Sequence, residues 1–415
     1  MTESNNMKEI IEKFGASTLE QAKLKTFNFW DMQPVPSLTQ VVGSDGLLRE
    51  IDIEKETKRY SSTLSNEFKF DTLDKNDPKQ IKLLYDFLND NYVNIMESKF
   101  KLHYSLEYLN WLINSPQVIN ELLILVKVKK NDKIVGCIFG FLEKVQVNKN
   151  VIDVINSKLM CVYSKLRHKK MACMLMKELI RRSIILGHKV GHYVSGRYQP
   201  KPFNTSSLYF RPINPKKILE SKFMVFEQSA ISKQGGQGIE KDMAEIEKYY
   251  DVPDNLDNKN FILMKDIHLE QAYNLLNGYL EKFNFHPIFN QAEFNYMFYN
   301  NDIISSYVLC DNDNNVVDFI SFYKQKSRMI SNNNYINAAY IYYYTSNEET
   351  IYQLVKNILI IAKKCNFDII GMFDVMENES ITNELLFTKA TNINYYLWNW
   401  KCKDLVASQI GSVPF

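Results

Sequence analysis

Cysteine is scarce in this sequence of 415 residues, and its spacing argues against two kinds of cross-linked scaffold. The six cysteines are Cys137, Cys161, Cys173, Cys310, Cys365 and Cys402. They form no CxxC pair and no Cys/His set at metal-ligand spacing, which argues against both a disulfide framework and a zinc site. Several stand inside apolar runs, where a free thiol packs as a small hydrophobic side chain. We therefore expect a reduced protein without a metal.

The sequence also lacks a long hydrophobic run. Its apolar stretches fall well short of the ~20 residues that a helix needs to span a bilayer. The first residues, Met-Thr-Glu-Ser-Asn-Asn, do not form the basic segment and apolar core of a signal peptide. We expect a cytoplasmic protein with no transmembrane segment.

Neither sign of charge dominates the sequence. It has 50 Lys and Arg residues against 48 Asp and Glu residues, a formal net charge of +2. So small a charge creates no general field that would attract nucleic acid or an anionic membrane, and any basic site must be local. The 45% of hydrophobic and 24% of charged residues are typical of a globular chain with a substantial core. We expect a monomer that binds no nucleic acid.

The first half of the chain contains an ordered series of secondary-structure patterns. Two β-rich runs at 121–128 and 134–141 flank a polar turn, which is the pattern of a β-hairpin. A third β-rich run follows at 157–163. Residues 171–186 carry apolar side chains at helical spacing, and 190–195 is a further predicted strand. The predicted order is hairpin, strand, helix, strand.

The second half repeats this order. Runs at 303–309 and 316–323 predict a hairpin, followed by a strand at 338–344, a helix at 351–364 and a strand at 367–373. The second helix starts 180 residues after the first, and the second hairpin turn lies 181 residues after the first. So regular an offset indicates two copies of one α/β unit.

We therefore predict an α/β (α+β) fold made of two pseudo-symmetric halves, residues 1–215 and 216–415. The Gly-rich stretch within 229–238 marks the seam between them and is typical of an exposed loop. Two unrelated α/β domains are the alternative interpretation. A strand followed by a helix whose N-terminus binds an anion is the layout of CoA-dependent acyltransferase folds.

Three cations stand just before the first predicted helix, where electrostatics disfavours them. Arg167, Lys169 and Lys170 follow the strand at 157–163. A helix begins with unpaired N–H groups and a partial positive charge, so cations are favoured at its other end. An anion among them would resolve this conflict, and a pyrophosphate suits a helix N-terminus. The alternative is a solvated basic turn with nothing bound.

Several long motifs resemble those of eukaryotic N-myristoyltransferases and occur in the family's order. F-N-F-W-D-M-Q-P-V-P at 27–36 is similar to the family's F-W-D-T-Q-P-V-P, and C-V-Y-S-K-L-R-H-K-K-M-A at 161–172 is similar to C-V-H-K-K-L-R-S-K-R-x-A. D-V-M-E-N at 374–378 and Y-Y-L-W-N-W-K-C at 395–402 resemble D-L-M-E-N and Y-Y-L-Y-N-W-K-C. The resemblance spans 27–415. It implies two fused acetyltransferase-like (GNAT-type) halves, and an enzyme that transfers myristate from myristoyl-CoA to the N-terminal glycine of other proteins.

The resemblance also assigns the acyl-CoA side of the reaction. The backbone N–H groups of Leu159 and Met160 would polarise the thioester carbonyl. This role does not depend on the side chains, so it is compatible with Lys158-Leu-Met at the position of the family's Asn-Phe-Leu. A plain buried strand is the other interpretation of these positions, and both can hold together. The residues implied in myristoyl-CoA binding are Phe27, Asn28, Phe29, Trp30, Asn91, Cys161, Val162, Arg167, His168, Lys169, Lys170, Met171, Ala172 and Cys173.

The base implied by the resemblance is the main-chain carboxylate at the end of the chain. Thirteen residues follow Cys402, the spacing of the family, so Phe415 falls at that position. An α-carboxyl group has a pKa of roughly 3.3–3.7 and an N-terminal amine of roughly 7.7–8.0, a poor match in water. Burial raises the pKa of the carboxyl group and lowers the pKa of the amine, which makes the proton transfer feasible. The alternative is an inert, frayed terminus.

The peptide side matches the family less well. The positions that agree are Tyr92, Tyr104, Gly196, Tyr323, Ser327 and Tyr340. Val194 replaces a threonine that lies beside the substrate amine in the family, and Leu208 and Phe210 replace a tyrosine and a histidine. In the acidic loop at 94–97, only Glu97 carries a charge.

Three functions are compatible with this sequence. The first is an active glycine N-myristoyltransferase. The second is a catalytically weakened module that binds acyl-CoA or an acylated peptide, an interpretation that the changes at Val194, Leu208 and Phe210 keep open. The third, an acetyltransferase for a small amine, fits less well because the resemblance is specific to one family.

Overall fold

The computed structural model describes residues 11, 15–92, 94–95, 99–167, 169–224, 239–256, 258–299 and 301–415. Three expectations from the sequence lie outside these residues. They are the seam at 229–238, the cation-site residue His168 and the acidic position Glu97.

Ten α-helices occur in the described part of the chain, and most begin at a side-chain cap. Asp77, Ser105 and Thr350, for example, each accept a hydrogen bond from a backbone N–H in the first turn, which satisfies one of the helix's unpaired donors. The helices are α1 (Leu19–Lys23), α2 (Ile53–Tyr60), α3 (Pro78–Asn91), α4 (Leu106–Ile113), α5 (Met171–Ile185), α6 (Pro215–Glu220), α7 (Ile239–Tyr249), α8 (Leu269–Leu280), α9 (Gln291–Phe298) and α10 (Ile351–Lys364). Short 3-10 turns occupy Trp30–Met32, Ser164–Leu166, Asp266–His268, Asn378–Ile381 and Ala407–Gln409.

The strands are rich in β-branched and aromatic side chains, which suit a pleated and buried surface. In chain order they are β1 (Gly46–Leu47), β2 (Phe68–Thr72), β3 (Asn94–Ile95), β4 (Phe100–His103), β5 (Val118–Val128), β6 (Ile134–Val147), β7 (Asn150–Val162), β8 (Gly191–Ser195), β9 (Asn204–Pro212), β10 (Phe261–Leu263), β11 (Phe285–Pro287), β12 (Ile304–Cys310), β13 (Val316–Met329), β14 (Tyr335–Thr345), β15 (Ile369–Phe373), β16 (Thr388–Trp398) and β17 (Trp400–Lys401).

Fifteen of the described strands form one continuous sheet. Its main path runs β10-β12-β13-β14-β15-β9-β16-β8-β7-β6-β5-β2. Strand β11 pairs with β6, β4 pairs with β13, and β3 pairs with β4. The short strands β1 and β17 form a separate antiparallel pair.

The two halves of the sheet share one topology. β5, β6 and β7 are antiparallel neighbours, α5 follows, and β8 returns parallel to β7. β12, β13 and β14 are antiparallel neighbours as well, α10 follows, and β15 returns parallel to β14. The predicted order of hairpin, strand, helix and strand is therefore confirmed in both halves. Helix α10 has the predicted limits, and α5 begins at the predicted residue.

The halves exchange strands at the centre of the sheet. Strand β9 follows β8 in the chain, but it pairs with β15 and β16. Strand β16 follows β15 and pairs with β8 as well as β9. Each half therefore supplies a strand to its partner. The boundary predicted near residue 215 stays a prediction, because the sheet itself has no break there.

The hydrophobic core extends through both halves. Leu123 and Phe139 of the first half and Phe319 and Ile358 of the second belong to one cluster of buried side chains. Helix α5 covers the β5–β7 face of the sheet through Leu175 and Leu179. This packing holds the ends of β7 and β8 in place, and the cavity described next opens there.

Candidate active site

A cavity of about 270 Å³ opens where β7 and β8 separate. These strands pair in parallel at Ile155–Gly191 and Asn156–His192, and just beyond this point Lys158 and Val194 both line the opening. The remaining walls come from β6, α4, β14, β16 and residues 412–415. We call this space the central cavity.

A β-bulge in β7 shapes one wall of the central cavity. In the pairing with β6, Cys137 faces Cys161 and Phe139 faces Lys158, so Leu159 and Met160 together face a single residue. Leu159 has a φ of 53°, and its carbonyl accepts a hydrogen bond of 3.1 Å from the Cys137 thiol. A bulge interrupts the ladder of backbone hydrogen bonds. The two residues that the resemblance assigns to the thioester carbonyl are thus the bulged pair, and both line the cavity.

The last residues of the chain form the opposite wall. The hydroxyl groups of Tyr395 and Tyr323 donate hydrogen bonds to the carbonyls of Ser412 and Pro414, at 2.9 and 3.2 Å. The backbone N–H of Val413 donates to the hydroxyl oxygen of Tyr343 at 3.3 Å. The tail is therefore docked by three strands and is not a frayed end.

Aromatic rings surround Phe415. Its ring centroid lies 4.6 Å from that of Tyr323 and 5.4 Å from that of Tyr342. The rings of Tyr108 and Trp111 on α4 lie 5.7 and 5.3 Å away. Burial raises the pKa of the Tyr108 and Tyr323 hydroxyls, so these groups stay protonated.

The structure brings most of the predicted peptide residues to this region. Tyr92 and Tyr104 line the central cavity, with their rings 5.0 Å apart. Tyr340 stacks on Tyr323 at 4.8 Å, next to Phe415, whereas Ser327 is buried in β13 between β4 and β14. Gly196 follows β8 and is not part of the cavity lining; the nearest atom to a Cβ built there would be the Asn392 carbonyl oxygen at 3.9 Å.

The two apolar replacements on the peptide side differ in their surroundings. Phe210 is buried against the rings of Tyr340 and Phe223, at 5.9 and 5.8 Å. Leu208 is half-buried and packs beside the same cluster. Both side chains are therefore held by neighbouring apolar groups, and neither adds a polar contact next to Tyr340.

Polar side chains line the wall between β6 and β8. Lys158 forms an ion pair of 3.5 Å with Glu143, and the Asn156 side chain donates to both Glu143 oxygens at 3.0 Å. His192 lies next to Asn156 across the strand pair and is 4% exposed. Burial, reinforced by the positive charge of Lys158, lowers the pKa of His192 to about 3. The imidazole is therefore neutral at physiological pH.

The basic helix start has the form that the sequence predicts. Helix α5 begins at Met171, and its N-cap residue Lys170 has left-handed backbone angles and no side-chain cap. Lys169 and Lys170 are exposed, as is Arg167. Arg167 also donates to the backbone carbonyls of Val162 and Asn91.

Asn91 organises the loop in front of this helix. Its side-chain oxygen accepts a hydrogen bond from the Ser164 backbone N–H at 3.2 Å, and its own carbonyl accepts one from Arg167. Met171 is buried, whereas Ala172 and Cys173 are half-buried in the first turn of α5. Cys161 and Val162 are buried at the end of β7, directly after the bulge. The segment that begins at Cys161 thus leads from the central cavity to the basic turn.

A narrow side pocket of about 40 Å³ adjoins the central cavity. Its walls are mainly apolar and include Trp30, Met176, Leu179 and Trp398. Ser157, Met176, His192 and Tyr193 line both spaces. The ring of Trp30 stacks on that of Tyr193 at 5.3 Å. This contact brings the N-terminal segment to the pocket.

The other predicted residues of that segment lie around Trp30. Phe27 is buried and Phe29 is half-buried in the same apolar cluster, while Asn28 is exposed. Of the four residues, Trp30 is thus the one that lines a cavity.

Comparison with known proteins connects this geometry to one family. Residues 49–206 match the family model described as "Myristoyl-CoA:protein N-myristoyltransferase, N-terminal domain", and residues 237–412 match its C-terminal domain. A probable glycylpeptide N-tetradecanoyltransferase of Caenorhabditis elegans is 30% identical over 403 residues, which covers 95% of this chain and 87% of that protein. The chain belongs to the N-myristoyltransferase family.

Other relatives of the family agree with this placement. The glycylpeptide N-tetradecanoyltransferase of Plasmodium falciparum is 31% identical over 394 residues, 93% of each chain. The fold is similar to that of Saccharomyces cerevisiae N-myristoyltransferase, solved with bound myristoyl-CoA, with a TM-score of 0.85 at 24% identity over 94% of this chain and 100% of that one.

Two further observations concern metals and membranes. Within the described residues, His, Cys, Asp and Glu side chains form no cluster of three or more that could hold a metal ion. Nor does any helix of the described chain combine the length and apolar character that crossing a bilayer requires.

Several residues of the central cavity were not predicted from the sequence. Glu143, His192 and Tyr395 line it, and the pattern of neighbouring residues does not mark them as functional. The sequence does contain a signal, because Glu143 directly follows the apolar run 134–142 and His192 interrupts the run 190–194. Lys158 differs from the asparagine of the family motif.

Proposed function

We propose that this chain transfers myristate from myristoyl-CoA to the N-terminal glycine amine of protein substrates. The observation that carries this proposal is that the bulged pair Leu159 and Met160 and the terminal residue Phe415 line one cavity, at the point where β7 and β8 separate. The chain is an acyltransferase of the glycylpeptide N-tetradecanoyltransferase type. Myristoyl-CoA is its acyl donor.

The donor is held from both ends in this proposal. The CoA phosphates bind beside Arg167, Lys169 and Lys170, where the uncapped N–H groups of α5 add a partial positive charge. The acyl chain begins at the side pocket beside Trp30, since that pocket is apolar and shares wall residues with the central cavity. The thioester carbonyl then lies against the bulge, where backbone N–H groups stabilise the negative charge that develops on its oxygen.

The acceptor amine approaches from the side of the C-terminal tail. The main-chain carboxylate of Phe415 removes a proton from the glycine ammonium, and the neutral amine attacks the thioester carbonyl. The C–N bond forms and the C–S bond breaks, the attacking nitrogen gives its second proton to the departing sulfur, and CoA leaves as the thiol. Burial raises the pKa of the Cys161 thiol to about 12, so this cysteine beside the bulge is protonated, which favours direct transfer over an acyl-cysteine route.

The environment of the enzyme is part of the same proposal. Proteins with an N-terminal glycine are its partners, and it acts on them in the cytoplasm as a monomer.

Transfer to short peptides tests the proposal directly. The purified chain is incubated with radiolabelled myristoyl-CoA and a peptide that begins with glycine, and acylated peptide is measured over time. We expect transfer to the glycine peptide and none to the same peptide with an acetylated N-terminus. Binding of myristoyl-CoA without transfer to any of a panel of glycine peptides would show that the chain is a binding module.

The role of the tail has its own test. A variant extended by two glycines after Phe415 moves the carboxylate out of the cavity, so it should bind myristoyl-CoA normally and lose transfer. Phe415→Ala keeps the main-chain carboxylate and should lose much less activity. Full transfer by the extended protein would contradict the assignment of this carboxylate as the base.

A further inference from the structure

His192 is a buried polar side chain that the residues around it leave without a hydrogen-bond partner. Among the described residues, neither its Nδ1 nor its Nε2 atom has a partner, although the side chain lies at the wall of the central cavity. A buried polar group without a partner is costly by roughly 1–3 kcal/mol, so an unpartnered one requires an explanation, such as a bound ligand or a catalytic role.

The ring of His192 lies on the side of β8 that faces the C-terminal tail. Its centroid is 5.1 Å from that of Phe285 and 6.2 Å from that of Tyr395. The Phe285 carbonyl accepts a hydrogen bond from Gly411, and the Tyr395 hydroxyl donates one to Ser412. The imidazole is thus next to two of the residues that anchor the tail that ends at Phe415.

The position of His192 in β8 relates it to a second observation. Alternate residues of a strand point to the same face, so His192 and Val194 share a face, and both line the central cavity. Val194 stands where a hydroxyl-bearing threonine is expected, and its side chain offers no hydrogen-bonding atom. His192, the neighbouring residue on the same face, does have hydrogen-bonding atoms.

We propose that His192 accepts a hydrogen bond from the glycine amine of the peptide and orients that amine toward the thioester carbonyl. The neutral imidazole has one ring nitrogen with a free lone pair, and its charge state suits an acceptor. Lys158 can only donate, and both Glu143 oxygens already accept hydrogen bonds from Asn156 at 3.0 Å. This inference rests on the proposed transfer reaction and names the residue that positions its acceptor.

Three variants test the role of His192. His192→Val removes the acceptor and should lower kcat for a glycine peptide roughly ten-fold, the kinetic equivalent of one hydrogen bond. His192 also borders the side pocket, where valine keeps an apolar wall, so the Kd for myristoyl-CoA should change much less than kcat. His192→Asn keeps an acceptor oxygen and should lose less. Adding Val194→Thr to His192→Val supplies a hydroxyl on the same face and should restore most of the lost activity.

His268→Gln is the matched control. His268 is also 4% exposed, but its Nδ1 accepts a hydrogen bond from the Lys265 N–H at 3.1 Å and it does not line the cavity. This variant should keep the kinetics of the wild type. Unchanged kcat in folded His192→Val, or a loss that Val194→Thr does not restore, would overturn the proposal, as would weakened myristoyl-CoA binding in proportion to the loss of activity.

A measurement on the wild type keeps the inference testable if His192→Val does not fold. Protein labelled with ¹⁵N at its histidines is mixed with a thioether analogue of myristoyl-CoA and then titrated with a glycine peptide. One ring nitrogen of His192 should shift on addition of the peptide, and an N-acetylated peptide should cause no such shift. Identical spectra with both peptides would refute the contact. Absence of transfer by the wild type would instead refute the proposed function itself.

Discussion

At the scale of single residues, burial keeps His192 uncharged and thereby makes the protein sensitive to acid. In the unfolded chain this side chain takes up a proton near pH 6.5, whereas in the folded protein its pKa is about 3. Between these values the unfolded state binds one more proton than the folded state. Stability is therefore lost as the pH falls from 6.5 toward 3, and this contribution is absent above 6.5.

We expect His192→Val to reduce this acid sensitivity. Between pH 6.5 and 5.0 the wild type should lose about 2 kcal/mol more free energy of unfolding than the variant. Urea unfolding at both pH values measures the difference. Equal losses in the two proteins would mean that the imidazole is protonated in the folded state, contrary to the environment described here.

The cations before α5 give a second prediction at this scale. Changing Arg167, Lys169 and Lys170 together to Ala should weaken binding of myristoyl-CoA on the order of ten-fold at low salt, because three charges near the phosphates are lost. The effect should shrink as salt increases. Equilibrium binding over a range of salt concentrations measures both.

The control for this variant removes the same charge elsewhere. Lys149, Lys216 and Lys259 are exposed at other parts of the surface, and their change to Ala should leave CoA affinity unaltered. Equal weakening by both triple variants would indicate a general charge effect in place of a phosphate site.

The motif spacing predicts residues that the fold brings together, although their roles stay predictions. Leu159, Met160 and Phe415 line the same cavity, as the motif spacing predicts. Sequence reasoning did not identify His192, because its significance depends on the absence of partners in three dimensions. Gly196 is the opposite case, because it matches the family motif but does not line the cavity.

At the scale of elements, the C-terminal tail depends on a close fit at Gly411. Its N–H donates to the Phe285 carbonyl at 2.7 Å. A Cβ at this position would lie 2.7 Å from the Phe283 ring and 3.0 Å from the Cβ of His286. The tail can therefore follow its path into the cavity only if residue 411 has no side chain.

Gly411→Ala should displace the tail. Overpacking typically costs 1–3 kcal/mol, so we expect a lower melting temperature and a loss of transfer on the order of ten-fold or more, with myristoyl-CoA binding retained. Gly278→Ala is the control, because a Cβ there meets no atom within 4 Å. Normal transfer by folded Gly411→Ala would show that the tail's position is not critical for the reaction.

The elements themselves were predictable where the pattern is local. Helix α10 has apolar residues at helical spacing and the capping pair Thr350 and Gln353, so its limits can be read directly. The bulge at Leu159 and the pairing of β9 with β15 could not be read in this way. Both depend on which strand lies alongside, and the sequence of a strand does not indicate which strand it pairs with.

At the scale of the whole molecule, the exchange of β9 and β16 makes the two halves one folding unit. Neither β8 nor β15 has its full set of neighbours without a strand from the other half. We expect a single cooperative unfolding transition, detected at the same urea concentration by fluorescence and by circular dichroism. Two separate transitions would show that the halves fold independently.

The same exchange has a consequence for protein synthesis. On the ribosome, β8 and β9 emerge about halfway through synthesis, whereas β16, which fills the space between them, is made near the end of translation. Until then the nascent chain carries open strand edges, the kind of surface that invites pairing with the wrong chain. Slowing elongation should therefore increase dependence on chaperones instead of relieving it, because extra time does not supply the missing strand.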